Sequence, residues 1–111
     1  MGFNMKMGST EYVLAMTTVS DETQARNLAR QLVENRLAAC VNQVRVTSTY
    51  HWKGALEEGP EILLLIKTTR DRQAKLQKVL LEVHPYELPE FITVPITGGS
   101  EPYLKWLQDS V

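Results

Sequence analysis

His84-Pro85-Tyr86-Glu87-Leu88-Pro89-Glu90 gathers an imidazole, a phenol and two carboxylates into one short segment stiffened by two prolines. The His84 imidazole titrates nearest physiological pH, and neutral imidazole is the commonest protein metal ligand. His84 with Glu90 could also form an acid/base couple. Pro85 and Pro89 bias the residues before them toward extended backbone, so the segment presents its side chains on a stiff frame. The competing structural role for His84 is to cap the end of a helix, donating to its free carbonyls.

A second constellation comprises Tyr50, Trp52, Glu61, Lys67, Tyr86, Glu90, Tyr103 and Trp106. Aromatic faces and charges at strand ends suit a ligand pocket between subunits. Packing explains part of the same pattern: Tyr50 and Trp52 have the character of interface anchors, while Glu61 and Lys67 fall ~20 Å apart along one strand. Cys40, between Ala39 and Val41, reads as a small buried hydrophobe, and His51 as a solvated residue.

These side chains are carried by a simple succession of elements. Residues 12–18 are β-prone, and Ser20-Asp21-Glu22 offers the oxygens and negative charge that begin a helix. Ala25, Leu28, Ala29, Leu32 and Val33 then recur at helical spacing, with Asn35 at the end. Residues 39–52 alternate as a long strand, with Val44, Val46, Ser48, Tyr50 and Trp52 on one face and Arg45, Thr47, Thr49 and His51 on the other. A turn from Gly54 to Gly59-Pro60 leads into the apolar run 62–66, expected to be a strand buried on both faces. Leu76, Val79, Leu80 and Val83 stripe a second helix that Pro85 stops, a strand follows over 91–97, and Ser100 and Pro102 open a short C-terminal helix.

The order βαββαβ is that of an α+β, ferredoxin-like sandwich with both helices on one sheet face. The other face needs a cover. Second and third strands of about twice the usual five or six residues would overhang a small sheet, so self-association is expected, the alternative being a bent hairpin folded over its own core.

Composition narrows the function. At 111 residues, residues 11–111 form one domain and residues 1–10 read as a disordered extension. Hydrophobic residues make up 43% and charged residues 23%, and no apolar run reaches the ~20 residues that span a bilayer, so no membrane role is expected. A net charge of −1 gives no general attraction to nucleic acid. A single cysteine excludes an internal disulfide and suits the cytoplasm. The sequence has no Ser-His-Asp order, no HExxH, and no Walker or dinucleotide glycine pattern, so neither catalysis nor an organic cofactor is expected; hydrolase or phosphotransferase chemistry on the same fold is the alternative.

Residues 32–42, Leu-Val-Glu-Asn-Arg-Leu-Ala-Ala-Cys-Val-Asn, together with Ser48-Thr49-Tyr50-His51-Trp52-Lys53-Gly54, Lys67-Thr68-Thr69, the 84–90 segment and Tyr103-Leu104-Lys105-Trp106-Leu107, closely resemble the CutA family of divalent-cation tolerance proteins. The resemblance runs from about residue 12 to the C-terminus. It implies a homotrimer akin to the nitrogen-regulatory PII proteins, a cytoplasmic location and a response to copper or other divalent metals. It also implies a PII-like pocket for a small anionic ligand, with Lys67 supplying charge, as a sensor or scaffold without a physiological metal. Thr17 and Val83 stand where copper-linked members carry Cys and His, which leaves His84 as the matching ligand, with Glu90 or a neighbouring subunit completing the set.

Overall fold

The computed structural model describes residues 11–111, and the reading of residues 1–10 lies outside the described residues. Strand β1 (Tyr12–Val19) runs into helix α1 (Glu22–Glu34), where Asp21 caps the first turn by accepting from the Gln24 N–H at 2.8 Å. The helix closes in a Schellman turn: the Arg36 N–H bonds Val33 O at 3.0 Å, the Leu37 N–H bonds Leu32 O at 2.9 Å, and Arg36 takes a left-handed φ of 56°. Asn35, the expected end, is the C-cap.

Strands β2 (Cys40–Trp52) and β3 (Ala55–Thr69) form the long hairpin, pairing without interruption from Cys40 opposite Lys67 to Trp52 opposite Ala55. Lys53 (φ 52°) and Gly54 (φ 83°) make the whole turn, a two-residue reversal with both φ positive, which matches the strand twist. The expected turn out to Gly59-Pro60 is therefore a tight one, and both residues lie inside β3. Pro60 is tolerated because β1 pairs with β3 only from Ile62 onward, so this stretch has an open side where a missing N–H costs no ladder bond.

Helix α2 (Arg70–Val83), strand β4 (Ile92–Pro95) and helix α3 (Glu101–Asp109) complete the chain. The sheet is antiparallel in the order β2-β3-β1-β4, the ferredoxin-like arrangement expected. Ala25, Leu28, Ala29 and Leu32 of α1 and Leu76 and Leu80 of α2 pack with Ala15, Val19, Ile62, Leu64 and Ile66 on one sheet face. Val83 falls outside this stripe at 43% exposure.

Only that face is covered by α1 and α2. Leu63 and Leu65 are half-buried, so the run 62–66 is buried on one face rather than two. Cys40 is also half-buried and not the core position expected, since its strand is at the sheet edge.

Candidate functional site

His84 is placed by the end of α2. Pro85 cannot continue the helix, and His84 turns to extended backbone (φ −68°, ψ 136°) while its N–H still bonds Leu80 O at 2.9 Å. The side chain points inward and is 9% exposed. Nε2 donates to Thr18 O at 2.8 Å, and Nδ1 accepts the Tyr86 N–H at 3.1 Å. Both nitrogens are thereby committed, and the tautomer is fixed by its partners. Burial holds the imidazole below its ordinary pKa; the Thr18 carbonyl and the charge of Glu61 oppose that shift. His84 does end the helix, but its ring serves β1 rather than the carbonyls of α2.

The next link is Tyr86, whose ring meets His84 edge-on at 4.8 Å and whose hydroxyl donates to the Glu61 carboxylate at 2.6 Å. Burial, and then the bond to Glu61, keep this phenol protonated far above its ordinary pKa. Thr18, His84, Tyr86 and Glu61 thus form a chain of contacts that pins the 84–90 segment to the end of β1 and the middle of β3.

Over this chain lies an open groove of ≈ 650 Å³. Tyr50 and Trp52 from β2, Glu61 from β3, and Tyr86, Glu87 and Glu90 from the proline-framed segment line it, with Thr18 and Thr49. Five of the residues singled out in the sequence, Tyr50, Trp52, Glu61, Tyr86 and Glu90, therefore meet in one place. The other three do not. Lys67 lies further along β3, where its Nζ is 5.7 Å from the centroid of the Tyr103 ring, and Tyr103 stacks at 5.3 Å on Trp106. Strand rise separates the two groups, so within one chain Lys67 gives no charge to the groove.

Three contributors escaped the sequence reading, the first being His51, set aside as solvated, which is exposed and lines the groove. Thr18 lines the groove and receives the His84 bond through its carbonyl, a backbone role that no side-chain pattern reveals. Lys53 holds its Nζ 5.4 Å from the Trp52 ring centroid and 3.5 Å from Glu87; its place beside the Gly54 turn was the available signal. Thr17 faces the helices, is fully buried, and its hydroxyl has no partner among the described residues. Among the described residues, no group of three His, Cys, Asp or Glu side chains is placed to hold a metal ion.

Residues 13–110 match the family described as CutA1 divalent ion tolerance protein. The chain is 47% identical over 111 residues to a protein CutA homolog of Xenopus laevis, covering 95% of this chain and 74% of that one. It is 45% identical over 98 residues to the divalent-cation tolerance protein CutA of Thermus thermophilus, covering 87% and 95%. The solved structure of CutA from Synechococcus elongatus superimposes with a TM-score of 0.89 at 39% identity, covering 91% of this chain and 90% of that one.

Proposed function

This chain belongs to the CutA1 divalent ion tolerance family, and on that premise we propose that it is a cytoplasmic homotrimer that captures divalent cations, Cu(II) among them, without chemical turnover. The observation that carries the reading is the sign of the charge in the groove. Glu61, Glu87 and Glu90 line it, and no Lys or Arg side chain is among the lining residues described. A cleft with one sign of charge and low-dielectric walls concentrates ions of the opposite sign. The free thiol of Cys40 supports a reducing compartment.

The residues fit such a cation only in part. The three carboxylates do not converge with His84 within one subunit, and the Nδ1 lone pair of His84 is already used by the Tyr86 N–H. Coordination by His84 and Glu90 therefore asks His84 to exchange that hydrogen bond for the metal, with donors from a neighbouring subunit completing the shell. The same commitment of both nitrogens argues against His84 as a general base, which supports capture over catalysis.

The sensor reading is favoured by a separate observation, the ring faces of Tyr50, Trp52 and Tyr86 around the groove. Within one chain Lys67 lies outside the groove, so an anionic ligand of the kind the resemblance implies would need Lys67 of a neighbouring subunit, whereas the carboxylates of the groove itself favour a cation.

Native mass spectrometry during Cu(II) titration tests the proposal, with Glu90→Gln and His84→Ala run beside the parent chain. The expected spectrum is a trimer that takes up one Cu(II) per subunit, with uptake weakened about tenfold or more in each variant. Uptake unchanged in both variants would remove the groove from the metal's path.

A further inference from the structure

At the rim of the groove, outside its lining, one lysine of the chain contacts two of the lining residues. The Lys53 ammonium stands between the Trp52 ring face, 5.4 Å away, and the Glu87 carboxylate, 3.5 Å away. A ring face opposite a carboxylate retains alkylammonium groups because the ring quadrupole and the anion both attract the positive charge. The same pairing recurs further in: the rings of Tyr50 and Tyr86 share the cavity with Glu61 and Glu90. Glu61 is held by the Tyr86 hydroxyl through Oε2, so its carboxylate is fixed beside the Tyr86 ring rather than free to turn away. No lysine of the chain fills this inner position among the lining residues.

The shape of the donor set separates classes of cation. A bare divalent ion needs six or more oxygens converging at short range and gains little from ring faces. Here the carboxylates form no such cluster and the walls are aromatic. We infer that the groove takes a protonated aliphatic amine, its ammonium groups seated between ring faces and carboxylates and its carbon chain lying along the aromatic wall. The inference rests on the reading of this groove as the cation-binding site and names a second class of ligand for it.

Lys53 gives the test its sharpest arm. It competes for the Trp52–Glu87 position, so removing it should improve binding, which a generally weakened fold would not do. Asn tolerates the left-handed backbone at this position, and Lys53→Asn therefore keeps the turn. Isothermal titration of the full-length protein with spermidine at low salt should give saturable binding, tightened about threefold in Lys53→Asn and weakened about tenfold in both Tyr50→Ala and Glu90→Gln. Glu34→Gln, at the end of α1, should leave the titration unchanged and so exclude attraction to general negative charge. Absence of saturation by about 10 mM spermidine, binding indifferent to all three groove variants, or weaker binding in Lys53→Asn would each overturn the inference. A Cu(II) titration without amine keeps the two readings apart: copper uptake with no spermidine binding defeats only the amine, and spermidine binding with no copper uptake defeats only the metal.

Discussion

Thr17 and His84 are both buried polar residues, and their surroundings give them opposite fates. The Thr17 hydroxyl is fully buried without a hydrogen-bond partner among the described residues. Its position on the helix-facing side of β1, beside Ala15 and Val19, calls for a methyl group instead. Thr17→Val should therefore stabilise the protein by about 1 kcal/mol, read as a higher urea midpoint with an unchanged slope. His84, by contrast, has a partner at each ring nitrogen, and protonation would put a proton on Nδ1 where the Tyr86 N–H now points. With its pKa lowered by burial from the ordinary 6.5, the unfolded chain binds this proton more readily than the folded one. The stabilisation from neutral His84 is complete above the unfolded value and declines as pH falls from about 6.5 toward the lower folded value. Urea unfolding at about pH 8 and about pH 5 should show a loss in the parent chain that is smaller in His84→Gln; equal losses in the two would place the acid sensitivity elsewhere. That His84 belongs to a site was legible from an imidazole, a phenol and carboxylates in one segment stiffened by two prolines. Its inward orientation was not, because the carbonyl it meets belongs to Thr18, distant in sequence, and a local pattern carries no information on such a partner.

The elements were legible where periodicity decides and obscure where neighbours decide. Stripes such as Ala25, Leu28, Ala29 and Leu32 fix a helix and its buried face whatever the rest of the chain does. Gly59-Pro60 reads locally as a break, yet it continues β3 because β2 supplies a partner on one side and β1 supplies none on the other. The reversal is left to Lys53 and Gly54 alone, and here backbone geometry sets the cost of substitution. A Cβ on Gly54 would meet no atom within 4 Å, but its φ of 83° is one that L-residues rarely adopt. Gly54→Ala should therefore destabilise by about 1 kcal/mol through backbone strain rather than crowding, and thermal unfolding measures that loss. An unchanged melting temperature would mean that the hairpin tip contributes little to the cooperative unit.

At the scale of the whole molecule, α1 and α2 pack on one sheet face, and the other, which α3 meets near Tyr12 and Lys67, keeps exposed apolar side chains. The register places Val44 opposite Leu63, and Leu14 and Met16 opposite Val94 and Ile92, so all of these share the side away from α1 and α2. Val44, Ile92 and Val94 are 41%, 52% and 42% exposed in the single chain. The hairpin projects beyond the body: the radius of gyration is 15.4 Å, against about 13 Å for a compact domain of this length. A chain that buried its hairpin against its own core would approach the smaller figure. In the proposed homotrimer, an extended hairpin beside an exposed apolar face would let copies of the chain cover one another. Sedimentation equilibrium should return three times the 12.6 kDa chain mass, and the melting temperature should rise with protein concentration. Val44→Glu introduces a charge on that face, on its edge strand β2, without touching the packed one. If the face is buried in the trimer, the unpaired carboxylate should cost about 3 kcal/mol or more per subunit, shifting the sedimenting species toward the monomer while α1 and α2 keep their helical signal. A parent chain that sediments as a monomer would leave the groove dependent on one subunit's donors, and since those do not converge on a metal, metal capture would lose its structural support.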